Sequence, residues 1–380
     1  MTIGSVCRAL LLVVPPLLSA VPCHAGWLDR FKDPTDGAFD MSSYLLESKG
    51  AFPVPVFITE PAIGYGGGLV VAFFQQSIAE LAAQSEDGRL YRPPNVYAAG
   101  GFGTENGTWG AFGGGMVTFH HDRWRWRGGG GYASVNLTYY GSNDAFAGRG
   151  LDYGLDGVAA VNHLLYRVGD SHWWLAAHWQ FLNLESAFDL QNSSIATLED
   201  ERRSSGVGPS IEYDSRDTIF TPSRGWTGSA DMLFYGPAFG GDATFQTYRA
   251  HVFAYMPLGH RFVLGTRLDG RSAHGDTPFY MLPFIDMRGI PLQRYQDEHT
   301  ALAEGELRWN VTSRWALMGF AGAGRVWGSQ ADFSAADTRV AGGTGFRYLI
   351  ARQLKMFTGL DFAWGPDDFA FYIQVGNAWR

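Results

Sequence analysis

The sequence predicts an all-β fold, a transmembrane antiparallel β-barrel of sixteen strands, and three observations carry that reading. From Phe52 onward apolar and polar residues alternate almost to the C-terminus, the period of a strand whose two faces meet different surroundings. The alternating runs reach about 10–15 residues, beyond the roughly 5–6 of a soluble sandwich and long enough to cross a bilayer. Composition agrees: 50 of 380 residues are Gly, 15% are aromatic and only 17% are charged, against about 25% charged in soluble domains. No run approaches 18 apolar residues, so no segment reads as a transmembrane helix.

The ends fit an exported chain. "MTIGSVCRALLLVVPPLLSAVPCHAGW" places Arg8 before an apolar stretch and closes on small residues, the pattern of a secretory signal peptide over residues 1–25, cut after Ala25. Both cysteines, Cys7 and Cys23, fall inside it, so the remaining chain has no disulfide and no Cys-ligated metal. Residues 26–50 read as a short periplasmic extension with Trp27, Leu28 and Phe31 at helical spacing, and residues 51–380 as the barrel domain. A net charge of −8 argues against a nucleic-acid partner.

Period-two patterning assigns strands to 52–58, 62–77, 93–105, 107–120, 123–139, 152–167, 171–184, 204–216, 225–236, 243–257, 260–275, 301–312, 314–327, 338–350, 352–365 and 368–379. In "EGELRWNVT" Leu307, Trp309 and Val311 share the lipid face, while Glu304, Glu306 and Arg308 share the lumen. "RFVLGTRLDGR" turns Phe262, Leu264 and Leu268 outward and Arg267, Asp269 and Arg271 inward. "FAFYIQVGNAW" places Phe369, Phe371, Ile373, Val375 and Trp379 on one apolar face, the terminal strand by which barrel assembly machinery recognises a client. Short turns such as "VGDS" and "PLGH" alternate with long connections at 140–151, 185–203, 276–300 and 328–337, as periplasmic turns and external loops do. "SIAELAAQSEDGRLYRPPN" breaks that alternation and reads as a helix-containing excursion. In "RWRWRGGGGYASVNL" the apolar phase slips by one residue across Gly128–Gly131, which predicts a β-bulge.

Several polar groups invite a site reading. Arg123, Arg125, Arg127, Arg249, Arg261, Arg267 and Arg271 fall on neighbouring strands. They are either ion-paired with Asp231, Asp269, Glu304 and Glu306 or a selectivity or ligand surface. The histidines lack metal-ligand spacing, "GPDD" reads as a hairpin turn, and "GYGGG" lies within a strand rather than before a helix. No catalytic signature, metal site or cofactor site emerges, so the expectation is no enzyme. The stretch "MRGIPLQRYQDEH", Met287–His299, is the most charged loop, and its residue types alone suit a solvated external loop.

A set of motifs changes that last reading. "IEYDSRDTIFTPSRGW" resembles the strand–turn–strand signature of the BamA/TamA-type outer-membrane barrels, the bacterial surface antigen family, carried by Asp214, Arg216, Asp217, Pro222 and Gly225. "MRGIPLQRYQ" resembles that family's Arg-Gly loop motif, and "GELRWNV", "GFAGAGRVWG" and "GGTGFRYLI" resemble the strands after it. The resemblance covers most of Phe52–Arg380. It implies that the loop between strands 11 and 12 folds into the lumen, with Arg288 and Gly289 anchored at Glu306 and Phe320. The family's Asp two residues beyond the Phe is replaced by Gly322, leaving the anchor one acid short. With only residues 26–50 ahead of the barrel, the chain is similar to a branch without POTRA domains. The resemblance implies a monomer in the Gram-negative outer membrane, partnered by its lipid and, during biogenesis, by the assembly machinery. It also implies a role in membrane protein insertion or outer-membrane biogenesis; the alternative is a passive pore or structural barrel plugged by its own loop.

Overall fold

The computed structural model describes residues 31–83, 93–141, 144, 148–189, 197–329, 331–367 and 369–379. Alternation along the chain becomes one sheet in which each of 16 strands pairs antiparallel with its sequence neighbours. The strands are β1 Gly50–Glu60, β2 Gly64–Phe74, β3 Val96–Thr104, β4 Trp109–Phe119, β5 Trp124–Tyr139, β6 Leu151–Arg167, β7 Trp173–Asp189 and β8 Thr197–Asp214. They continue with β9 Gly225–Tyr235, β10 Phe245–Leu258, β11 Phe262–Gly275, β12 His299–Asn310, β13 Trp315–Trp327, β14 Arg339–Ala351, β15 Met356–Trp364 and β16 Phe369–Val375. Cross-strand partners share a face, so the register Arg267↔Glu304↔Gly322 sets one continuous inner surface. Leu268, Leu307 and Leu317 remain exposed on the other, where lipid replaces water.

Three expectations about the strands and their turns need correction. There is no bulge at Gly128–Gly131: β5 pairs without interruption with β4 and with β6. Tyr132 stays on the outer face, and Ala133, Val135, Leu137 and Tyr139 turn inward, where Tyr139 packs on Phe279 of the β11–β12 connection at 5.1 Å. The uninterrupted register, not a phase slip, turns these apolar residues into the barrel, and Tyr139 finds an apolar partner there. The irregular register lies instead between Leu349 and Ala351, where β14 meets β15. Residues 185–203 are mostly not a loop, because β7 and β8 stay paired out to Asp189↔Thr197. The outer part of that hairpin carries Glu185, Asp200 and Glu201, which require water. Finally, Arg123 and Arg261 sit in turns rather than in the inner arginine cluster.

The last strand also ends early. Gly376 adopts φ +78, a left-handed conformation that glycine accepts without strain, and the chain leaves the sheet after Val375. Trp379 is therefore not on the lipid face with Phe369, Phe371, Ile373 and Val375. It is 4% exposed, packed inside against Phe253 and Tyr255 with ring centroids at 6.0 and 6.1 Å. Gly265 opposite leaves room for the indole.

The proposed signal segment, together with Trp27 and Leu28, lies outside the described residues. Of the extension, Asp33, Asp36 and Asp40 converge on Arg314 in the β12–β13 turn, with Arg314 Nε 2.7 Å from Asp36 Oδ2 and Nη1 2.6 Å from Asp40 Oδ2. The Arg314 guanidinium holds the Asp36 carboxyl down at about 2. A short helix, α1 (Ser42–Glu47), follows. The excursion after β2 begins as a second helix, α2 (Ile78–Ala83). A reciprocal cap opens it: Glu80 N donates to Ser77 Oγ and Ser77 N to Glu80 Oε2, both at 3.1 Å. Residues 84–92 of the excursion lie outside the described part.

Candidate functional site

The connection from β11 to β12 is built as a narrow hairpin. Phe284 bridges Gln296, and Ile285 N donates to Tyr295 O at 3.0 Å. Beyond that neck the chain turns twice, through Ile290 N to Met287 O at 3.0 Å and Arg294 N to Pro291 O at 3.2 Å. Gly289 takes φ +90, and a Cβ there would sit 3.1 Å from the Trp364 carbonyl carbon. Both the backbone sign and the close approach require glycine. Ile285, Met287, Ile290 and Tyr295 form an apolar cluster with Val326 of β13 and Ala341 of β14. The hydrophobic effect therefore holds the tip against the inner wall as well as its charges do.

Arg288 is the centre of the contacts. Its side chain is 7% exposed, and its guanidinium carbon lies 3.7 Å above the Phe320 ring centroid. Nη1 donates to Asp361 Oδ2 at 2.7 Å. Nη2 approaches Glu306 Oε2 at 2.7 Å as an ion contact that is out of line for a hydrogen bond, and Glu304 Oε1 lies at 3.8 Å. The structure thus brings Arg288, Gly289, Glu306 and Phe320 together. It corrects the expectation that Gly322 leaves the anchor short of an acid. Asp361 of β15 supplies the carboxylate from two strands away and is itself held by Arg347 at 2.7 and 2.8 Å. Gly322 serves a different need: a side chain there would collide with Met287 Sδ and Glu304 Cγ.

A second arginine, which the sequence reading passed over, holds the far side of the tip. Arg294 Nη1 reaches Asp144 at 2.9 Å and Nη2 reaches Asp367 at 3.1 Å, with the guanidinium stacked on Tyr140 at 4.1 Å. Nearer the neck, Arg267 and Arg271 both pair with Asp269 and with Asp286 of the connection, and Arg249 joins at Asp269, 2.8 Å away. Ion pairing at Asp269 and Glu304 accounts for those arginines. Asp231 instead accepts from Ser210 and Ser229 at 2.5 and 2.6 Å. Arg125 and Arg127 pair with Asp122 and Glu212.

The same connection touches both edges of the sheet. Among the described residues no pairing joins β1 to β16. Gly289 N donates to Tyr372 Oη of β16 at 3.0 Å, and Leu292 N donates to Glu60 Oε1 at the end of β1, also at 3.0 Å. Glu60 and Tyr372 carried no local signal, because each is an ordinary inward position of its strand.

The β8–β9 turn closes the opposite end. Asp214 pairs with Arg216 at 2.8 Å; Asp217 accepts from Ser223 N at 2.9 Å and pairs with Lys355 at 2.9 Å. Pro222 is fully buried, and a side chain at Gly225 (φ +94) would collide with Ser215 O. No cluster of three or more metal-ligating side chains occurs among the described residues.

Comparison with solved structures returns the same barrel. BamA from Haemophilus ducreyi lacking POTRA domains 1–3 superimposes with a TM-score of 0.57 at 12% identity, covering 86% of this chain and 69% of that one. CdiB from Escherichia coli gives 0.57 at 12%, covering 85% and 62%, and CdiB from Acinetobacter baumannii gives 0.52 at 11%, covering 86% and 59%. The chain spans less than two thirds of either CdiB. No curated protein matches the sequence. At such identities the likeness speaks for the fold. Residues 175–379, more than half of the chain and the part that carries the arginine anchor, match the Omp85 superfamily domain, and the chain belongs to that superfamily of outer-membrane barrels.

Proposed function

We propose that the protein inserts or translocates other polypeptides at the Gram-negative outer membrane, working through the β1–β16 seam, with the β11–β12 connection as the latch on that seam. The observation that carries this is the pair of bonds from backbone N–H groups of one loop to side chains of both unpaired strands, Gly289 N to Tyr372 Oη and Leu292 N to Glu60 Oε1. An unpaired edge is a template for another strand. A latch made of two hydrogen bonds, each worth about 0.5–1.5 kcal/mol net, is weak enough to open without unfolding the barrel. Pro53 and Pro55 lack backbone donors and keep β1 a poor partner for closure. Outer-membrane lipid surrounds the outer face, and the assembly machinery builds the barrel by recognising its last strand.

The test is reconstitution in liposomes with a urea-denatured barrel client, scoring client folding by heat-modifiable migration. Wild type is expected to accelerate folding several-fold, and Glu60→Ala with Tyr372→Phe, which removes both acceptors, to accelerate it further. No acceleration by either protein overturns the reading. The second reading, a barrel plugged by its own loop, has support in the tip's contacts to β12, β13, β15 and β16. Planar-bilayer conductance that rises on loosening Arg288, without any insertion activity, selects it.

A further inference from the structure

The inner face of β3–β6 carries apolar side chains and glycines, which an aqueous lumen does not call for. The register Phe112↔Gly131↔Ala159 and Gly114↔Gly129↔Val161 runs on the same face as Arg127↔His163↔His178. Phe112 and Val161 are 42% and 41% exposed, and the register places that exposure inside the barrel. Glycines at 114, 129 and 131 add nothing to fill the space. The result is a cavity of about 1240 Å³, larger than the roughly 300–1,000 Å³ of a drug-sized pocket. Its other wall is polar: Arg127 and Arg249 project with side chains 42% and 34% exposed, beside Glu212 and Asp231. Two buried ring nitrogens at that wall, His163 Nδ1 and His178 Nδ1, have no hydrogen-bond partner.

We propose that this cavity binds a glycerophospholipid of the surrounding bilayer, its acyl chains along Phe102, Phe112 and Val161 and its phosphate at Arg127 and Arg249. The apolar wall removes acyl surface from water. Guanidinium groups hold phosphate by charge-assisted, bidentate hydrogen bonds. The bilayer is the source because the apolar inner face continues through Val70 and Val56 to β1, whose free edge is the unpaired seam. A diacyl lipid entering there never has to leave an apolar path. The inference does not require insertion activity; it holds equally for a plugged barrel.

The experiment uses the full chain in maltoside micelles, titrated with dilauroyl phosphatidylglycerol, dilauroyl phosphatidylethanolamine or free laurate. Bound molecules are counted by native mass spectrometry, and folding of each variant is checked by heat-modifiable migration. One phospholipid is expected to stay bound at low micellar ratios with either headgroup, and laurate to bind at least tenfold more weakly. Arg249→Gln should weaken binding about tenfold, the equivalent of one charge-assisted contact at about 1.4 kcal/mol. Val161→Phe, which fills the cavity, should weaken it similarly, while Val158→Phe on the lipid face should not. Equal losses from Val158→Phe and Val161→Phe would mean annular lipid only and would overturn the proposal. So would laurate binding as tightly as phospholipid, or Arg249→Gln binding as wild type.

Discussion

Replacing Arg288 by Met removes the guanidinium but keeps an apolar chain of similar reach. Three carboxylates surround the vacated position, and they fare differently. Glu304 retains Arg267 at 3.0 Å, and Asp361 retains both terminal nitrogens of Arg347 at 2.7 and 2.8 Å. Glu306, with a side chain only 12% exposed, has no other ion pair among the described residues. The cost is therefore that of one stranded carboxylate, not three. Breaking a buried pair from one side costs about 3–5 kcal/mol, and the residual exposure of Glu306 favours the lower end, about 3. Losing the stack on Phe320 adds about 1 kcal/mol. The expected destabilisation is about 4 kcal/mol, larger than a wet lumen with a missing acid would give. Adding Glu306→Gln to Arg288→Met removes the stranded charge and should recover all but about 1–2 kcal/mol, since a neutral replacement of a whole buried pair is often tolerated. Urea unfolding from lipid vesicles, followed by tryptophan fluorescence, measures all three variants. If the double variant is no more stable than Arg288→Met alone, the idea of a single stranded acid is wrong.

Gly322→Asp, which supplies the acid that the loop-motif resemblance implies at this position, should destabilise by about 1–3 kcal/mol through collision with Met287 and expose the tip to trypsin at Arg294; a stabilised, protease-resistant variant would contradict the geometry. Leu307→Arg on the lipid face should cost about 2–4 kcal/mol near the midplane, whereas Arg308→Leu, facing inward beside Phe357, should be milder; equal shifts in heat-modifiable migration would invalidate the face assignment. Trp379→Ala should cost about 3 kcal/mol of inner packing yet still reach the outer membrane, while Phe371→Ser with Val375→Ser should accumulate in the periplasm; the reverse result would return the assembly signal to Trp379. The Asp36 carboxyl is held at about 2 in the folded chain against an ordinary 3.8, so its contribution to docking is complete above pH 3.8 and fades as pH falls toward 2. Labelling of a Ser42→Cys variant, divided at each pH by that of the same variant unfolded in urea to remove the thiol's own ionisation, should accordingly be flat from pH 5 to 8 and rise for Arg314→Gln; a titration of that ratio near neutrality would refute the clamp.

The barrel was legible because a strand's two faces are written at neighbouring positions. Leu307 and Arg308 declare opposite surroundings without reference to anything distant, and the same holds along β10, β11 and β13. The Arg-Gly of the loop was legible too, since glycine at 289 and arginine at 288 form a local pattern on which a resemblance can rest. What the local pattern does not contain is the partner brought from elsewhere. Asp361, 73 positions beyond Arg288, replaces the acid that Gly322 lacks, and only the curvature of the sheet brings it there. The glycine run in β5 looks like a slipped register because inward apolar residues read as lipid-facing, when they face the lumen, where Tyr139 meets Phe279. Trp379 looked like part of the last strand because alternation has no means of recording that Gly376 turns the chain inward. The latch on the seam depends on Glu60 and Tyr372 arriving at one loop from opposite ends of the sequence. Sequence by itself determined which face of a strand meets lipid wherever the inner face is polar, as at Leu307 and Arg308, since that is a one-residue property. Tertiary structure alone decided which inward groups meet one another, because closing a sheet into a cylinder makes neighbours of residues hundreds of positions apart.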